Sequence, residues 1–469
     1  MRRVVVIGGG ISGLAAAHRL TELSKSLHVT LLEASPRLGG TIRTDRREGF
    51  LLERGPDSFI SEKPEAVALA KRLGIESHLI ETNSQQRRSF IVRDGRLRPV
   101  PEGFQLLAPS RIWPFLTTDI FSLSGKIRMA ADLFLPRRST NGVADESLAS
   151  FVRRRLGREA LERMAQPMVG GIYTANPETL SLRATLPRFL NMERDHRSLV
   201  LALLRKARSI KADQSGTSGA RYNLFLSFDD GMEVLVNALE GALTQIETRR
   251  NTQVQSITWT GASATIQTRT GETFEADAIC LAVPAYTAAQ LLTNISPTLS
   301  TQLNQINYAS TATINLAYRR EAVRHSLDGF GFVVPFIENR SVLACSFSNV
   351  KFPGRAPADH VLLRAFVGGA LQPELFALDE AKMLTRVEND LCELLGINEK
   401  YIFAEVAKWK NSMPQYEVGH LDRVQSIENA LAQLPFLTLA GNAYRGAGIP
   451  DCIRSGELAA EKILNFLGA

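Results

Sequence analysis

Gly8, Gly10 and Gly13 spell G-x-G-x-x-G. The first glycine permits a tight turn, the second lets the backbone approach a pyrophosphate, and the third lets a helix pack closely on a strand. Twenty residues after Gly13, Glu33 supplies a carboxylate that can accept hydrogen bonds from a ribose. The chemistry implied is that of a bound dinucleotide, its phosphates held at a helix N-terminus. Other reactive residue types form no comparable constellation. His18, His28, His78, His196, His325, His360 and His420 show no metal-ligand spacing, so no metal site is expected. Cys280, Cys345, Cys392 and Cys452 form no C-x-x-C pair, which points away from a metal knuckle or disulfide framework and toward a reducing cytoplasm. No acid/base triad is visible.

The elements around the glycines suit that chemistry. An apolar β-branched run at 3–7 predicts a strand, LAAAHRL a helix and HVTLLEA a second strand, together one β-α-β unit. Residues 64–74 read as a helix, and RRSFIVRDGRLRPV as a hairpin around a DG turn. From Phe104 to Lys211 the reading is helical, broken at Pro109, Pro114, Pro136, Pro167, Pro177 and Pro187. The polar stretch SIKADQSGTSGAR reads as a surface loop or linker. Beyond it come LFLSFDDG, a helix to about Leu243, and strands around TQVQSITW, ASATIQTR and FEADAICLAVPA, the last of them buried. Residues 278–318 carry no charge, but Pro284, Pro297 and many polar residues defeat a spanning helix, leaving strand, turn, helix and strand. A β-rich stretch from Ala309 to Phe347 follows. The chain closes with the strand FLTLAG, the loop NAYRGAGIP and a helix from about Asp451 to Phe466.

With 469 residues, 44% hydrophobic and 22% charged, the chain is an ordinary globular protein of two to four domains, not a hormone, disulfide scaffold or disordered chain. Its net charge of +7 is unevenly spread: residues 87–211 hold 23 Lys/Arg against 11 Asp/Glu, and the remainder is acidic. That segment should face something acidic, and nucleic acid, anionic lipid and a polycarboxylate substrate all qualify. Arg153, Arg154 and Arg155 read as a solvated helix face or a lipid-facing patch. The start MRRVVVIGGG lacks a signal-peptide core, so no export is implied.

Downstream motifs bring in a resemblance. Arg37, Gly39 and Gly40 in EASPRLGGTIRT resemble the R-x-G-G extension of the flavoprotein amine oxidase superfamily, where these residues contact the FAD pyrophosphate. ERGPDSF, with Gly55 and Pro56, resembles the segment that passes beside the flavin. TQVQSI around Val254 resembles the strand giving main-chain contacts to the adenine. LAGNAYRGAGIPDCIRSGELAA, with Gly441, Asn442, Gly448, Ile449 and Pro450, resembles the closing flavin motif, and Trp409 matches a tryptophan near the flavin. FSLSGK, FVRRRLG, PMVGGIYTANPETLSL, HRSL, SMPQYEVGH and GIPDCI are similar to segments of the bacterial protoporphyrinogen and coproporphyrinogen oxidases, in family order.

The resemblance implies an α/β multidomain fold with a Rossmann-like FAD-binding domain (1–85, 211–290 and 405–469), a mixed-sheet substrate domain (86–95 and 291–404) and an inserted helical domain (96–210). It implies FAD-dependent oxidation of a porphyrinogen by dioxygen, with hydride leaving to the flavin and no catalytic side chain required. The implied substrate contacts are Arg88, toward a propionate, with Arg87 as an alternative, then Gly170 and Gly171 beside the macrocycle, and Leu327 and Phe347 against its rings. Thr311 stands where mitochondrial members carry a leucine, which favours a wider or more polar pocket and coproporphyrinogen. The expected setting is cytoplasmic or peripheral on the inner face of an anionic membrane through residues 96–210, as a monomer or homodimer, without nucleic acid. Alternatives are another amine oxidase or desaturase of the superfamily, or a non-enzymatic prenyl-protein carrier of the same fold.

Overall fold

The computed structural model describes residues 1–138, 145–210 and 225–468. The strand Arg2–Ile7 runs through the glycines into the helix Ile11–Leu23 and returns as the strand Leu27–Leu32. These two strands form the centre of a five-stranded parallel sheet in the order Glu247–Arg249, Leu27–Leu32, Arg2–Ile7, Ala278–Leu281, Leu437–Leu439. Both faces are covered, which explains the unbroken apolar runs. Val4 and Val6 pack toward the helices Ile11–Leu23 and Ile449–Leu467, and Val5 and Ile7 toward Ala285–Leu292 and Pro297–Asn304. The two ends of the chain meet closely: a Cβ on Gly456 would lie 2.1 Å from the Ser12 carbonyl oxygen, so only glycine lets these helices touch.

A second, seven-stranded mixed sheet has the order Phe403–Pro414, Tyr308–Arg319, His360–Gly368, Ala344–Phe347, Gly331–Val333, Phe90–Arg93, Arg96–Pro99. Alternation divides its faces. Ala312, Ile314, Leu316, Tyr318, Leu363, Val367 and Phe347 form one core with Met383, Val387 and Leu391 of the helix Glu380–Leu395. Thr311, Thr313, Asn315 and Arg364 alternate with these and occupy the other face. The DG turn forms as expected, with Asp94 and Gly95 at φ 52° and 68°, the geometry that matches strand twist.

Against the seven-stranded sheet, through Ile91 and Val333, packs the helical insertion, with its own core of Phe104, Phe121, Phe151, Phe189 and Leu203. Here the basic run departs from expectation. Arg155 is 0% exposed, its guanidinium bonded to the Asp132 carboxylate and to the carbonyls of Asp132, Pro136 and Arg197. Arg154 pairs with Glu146 and Glu193. Arg153 is exposed but paired with Glu178, and Arg154 is half-buried, so this run is no lipid-facing patch.

Three further corrections concern boundaries. The uncharged stretch contains two helices, because Ser296 caps a second one that begins at Pro297. Those helices pack on the five-stranded sheet, so the substrate sheet starts near Tyr308 rather than at 291. It ends at Pro414, since Phe403–Pro414 is its edge strand, and it also takes in Arg96–Pro99. The proposed linker SIKADQSGTSGAR lies outside the described residues from Lys211 onward; Ser209 and Ile210 end a helix.

Candidate functional site

The glycine loop separates into structural and open positions. Gly8 has φ +107°, and a Cβ there would lie 2.4 Å from the Ala282 carbonyl oxygen; on Gly13 it would lie 1.8 Å from that of Gly8. Gly10 differs: its φ is −70°, and a Cβ would meet nothing within 4 Å. It is the N-cap of Ile11–Leu23 and offers no capping side chain, so the first-turn N–H groups point into that open space. Gly39 N–H donates to Gly9 O at 2.8 Å, bringing the Gly39–Gly40 turn against the loop. Arg37 donates to Gly40 O at 2.7 Å and to Ile42 O, and pairs with Glu233, so here it braces that turn. Glu33 accepts from Gly9 N at 2.6 Å and from Ser35 N at 2.8 Å, which orients a carboxylate with lone pairs left for ribose hydroxyls. Thr252 N–H donates to Glu33 O at 2.8 Å, placing the strand that starts at Val254 beside the acid.

A second open helix start lies opposite in sequence. Gly448 caps Ile449–Leu467 without a side chain, Ile449 and Pro450 form its buried first turn, and Gly441, at φ +135°, has nothing within 4 Å of an added Cβ. The Asn442 side chain donates to Ser412 O at 3.3 Å. Two helix N-termini without side-chain caps, and two glycines with nothing within 4 Å of an added Cβ, could cradle the pyrophosphate and ring system of FAD.

Between these ends runs the segment Glu53, Arg54, Gly55, Pro56, Asp57, fastened by the substrate sheet. Thr313 Oγ1 and Trp409 Nε1 donate to Arg54 O at 2.6 and 2.9 Å, Asn315 Nδ2 to Glu53 O at 3.1 Å, and Arg364 to Gly55 O. Gly55 is obligatory, since a Cβ would sit 1.7 Å from Thr41 O. Burial opposes charge on Asp57, but the Lys351 ammonium at 2.9 Å and the Arg364 guanidinium prevail and hold its carboxyl well below the usual range. Burial pushes Glu53 up to about 7 despite hydrogen bonds from Met232 N and Thr44 Oγ1. Lys351 and Arg364 escaped the sequence reading, though a lone arginine inside the apolar strand HVLLRAFVG is itself a sign that a buried anion awaits it.

Gly170 and Gly171 line a narrow cleft with Gln166, Thr174, Val334 and Gly368. Thr311 pairs with Gly368 on one side and Trp409 on the other, so it joins this cleft to the fastened segment. The structure does not bring the other expected substrate residues to this cleft. Phe347 is 0% exposed and Leu327 2%, both in the core under Glu380–Leu395, on the face turned away from Thr311. Arg88 is mostly exposed, pairs with Asp328 at 3.0 Å, and does not line the cleft. No cleft-lining residue is ionisable. Such a lining could bind and orient a ligand, and it offers no group for electron transfer, which a cofactor would supply.

A family model described as Flavin containing amine oxidoreductase matches residues 11–464. The chain is 36% identical to the coproporphyrinogen III oxidase of Bacillus subtilis (strain 168), over 99% of this chain and 98% of that protein. It is 35% identical to the coproporphyrinogen III oxidase of Propionibacterium freudenreichii subsp. freudenreichii, over 98% and 90%. The crystal structure described as a protoporphyrinogen oxidase of Exiguobacterium sp. 255-15 superimposes with a TM-score of 0.88 at 32% identity, covering 100% of this chain and 99% of that one. The chain therefore belongs to the flavin containing amine oxidoreductase family, and FAD is its cofactor.

Proposed function

We propose that this FAD oxidoreductase converts a porphyrinogen to the corresponding porphyrin in haem biosynthesis, with coproporphyrinogen III preferred, dioxygen as acceptor and hydrogen peroxide as product. The carrying observation is the near full-length likeness to two coproporphyrinogen III oxidases, at 36% and 35% identity. Bound FAD supplies a two-electron acceptor for hydride from a methylene bridge. Six electrons and six protons leave the porphyrinogen over three rounds, and three dioxygen molecules become three of hydrogen peroxide. The chain's part is orientation. Gly170, Gly171 and Gly368 present backbone to a narrow cleft, which Pro167, Val334 and Leu343 line with apolar side chains, and this face is the one assigned to the substrate. Gln166 is held in place by accepting from Phe336 N at 2.9 Å.

We include in this reading a peripheral contact with anionic membrane. The insertion exposes Ile112, Trp113, Leu116, Leu123, Ile127 and Phe134, and the same stretch carries exposed Arg111, Arg137 and Arg138. No helix among the described residues is long and apolar enough to cross a membrane.

The likeness to the Exiguobacterium structure favours protoporphyrinogen IX as a second substrate. Steady-state kinetics on both porphyrinogens, with oxygen uptake and peroxide measured together, test the proposal. A higher kcat/KM for coproporphyrinogen III with one peroxide per dioxygen supports it; no oxidation of either porphyrinogen, or oxidation without oxygen uptake, refutes it.

A further inference from the structure

The loop 441–448 has to present open backbone between the strand Leu437–Leu439 and the helix Ile449–Leu467. Its shape is imposed from 416–420. The Tyr416 hydroxyl donates to Asn442 O at 2.5 Å and accepts from Gly446 N at 2.9 Å, bridging five residues of loop with one oxygen. The Tyr416 ring, 2% exposed, stacks on His420 at a centroid distance of 4.2 Å and 15°. His420 is fully buried, and its Nε2–H donates to Tyr444 O at 2.9 Å. Two stacked rings thus tie Asn442, Tyr444 and Gly446. Gly446 has no freedom to compensate: its φ is +137°, and a Cβ would lie 2.3 Å from Asp451 Cγ. Burial raises the Tyr416 phenol well above its ordinary range, which keeps it a donor.

The rings are anchored in turn on the helical insertion. Ser181 N donates to Tyr416 O at 2.8 Å, Val418 N to Thr179 O at 2.9 Å, and Gly419 N to the Asp145 carboxylate at 3.0 Å. We propose that Tyr416 is a positioning residue for the cofactor, holding the loop 442–446 in its flavin-binding conformation through both hydrogen bonds of its hydroxyl. The proposal rests on reading 441–450 as a flavin-binding segment.

Tyr416→Phe keeps the stacked ring and removes only the oxygen, leaving Asn442 O and Gly446 N unpaired. The FAD dissociation constant is expected to rise about tenfold, with a shift in the visible flavin spectrum of the holoenzyme. Tyr318→Phe deletes another buried phenol, one on the far face of the substrate sheet and without a hydrogen-bond partner among the described residues, and should change neither. Amide hydrogen exchange on the wild-type protein, with and without FAD, separates the two layers of inference and does not depend on the variant folding. If removing FAD leaves exchange across 441–450 unaltered, the segment does not bind flavin and the proposal falls with it. If the segment responds but the Gly446 amide exchanges freely in the holoenzyme, or Tyr416→Phe binds FAD with wild-type affinity and spectrum, the clamp alone is overturned.

Discussion

Gly10 and Gly13 sit three residues apart in one motif, and their substitution by alanine should fail in opposite ways. Gly10 has φ −70° and ψ 176°, which alanine adopts without strain, and a Cβ there meets no protein atom within 4 Å. Alanine is a poorer N-cap than glycine, but it also restricts the unfolded chain, and the two effects offset to leave flavin-free stability within about 1 kcal/mol. The methyl would stand where the pyrophosphate approaches the helix N-terminus. Displacing the phosphates from one or two charge-assisted N–H bonds costs about 1.5–3 kcal/mol each, which predicts a rise in the FAD dissociation constant of roughly tenfold to twenty-thousandfold. In Gly13→Ala the new carbon falls 1.8 Å from the Gly8 carbonyl oxygen, a backbone atom that cannot turn aside. The loop has to move, and the flavin-free protein should lose about 3 kcal/mol or more, beyond ordinary overpacking. Urea unfolding of the flavin-free proteins and titration by FAD fluorescence quenching measure the two quantities separately. Gly10→Ala binding FAD with wild-type affinity would refute the cradle, and equal destabilisation by both variants would refute the division between them.

The remaining predictions concern pH and the membrane. His420 is lowered to about 4 from 6.5 by burial, so it is neutral in the fold, and its contribution is lost as pH falls from 6.5 toward 4, by about 3 kcal/mol at most. Glu53, raised by burial to about 7 from 4.5, has the opposite sign: it binds its proton more tightly in the fold, and that contribution is lost as pH rises from 4.5 to 7. The slopes oppose each other between pH 4.5 and 6.5, so Glu53→Gln should make urea stability climb more steeply with pH there; a profile parallel to wild type contradicts the assignment. Combined Trp113→Ser, Leu123→Ser and Phe134→Ser should abolish cosedimentation with anionic vesicles, which in the wild type should weaken with salt. Wild-type protein that sediments with neither neutral nor anionic vesicles removes the membrane contact.

Much of the cofactor half was legible in residue order because its signals are local. A strand, three glycines, a helix and a second strand with Glu33 lie within 33 residues, and the DG hairpin and the closing helix are set by equally short-range preferences. Which way a strand residue faces is not local. Thr311 and Phe347 both belong to apolar strands, yet one lies on the face of Thr313 and Arg364 and the other packs toward the helix Glu380–Leu395, because register with His360–Gly368 assigns alternate residues to opposite faces. Charge is the same kind of problem. Arg155 reads as a surface cation until Asp132 and the carbonyl of Arg197 enclose it, and Arg364 acquires its role only when Asp57 and Gly55, more than 300 residues earlier, fold against its strand. Tyr416 is one tyrosine among eight until the loop carrying Asn442 and Gly446 closes over its hydroxyl. Periodicity and turn chemistry are properties of neighbours along the chain; the burial and pairing that decide this site are contacts across it, and they exist only once the sheets and the insertion have packed.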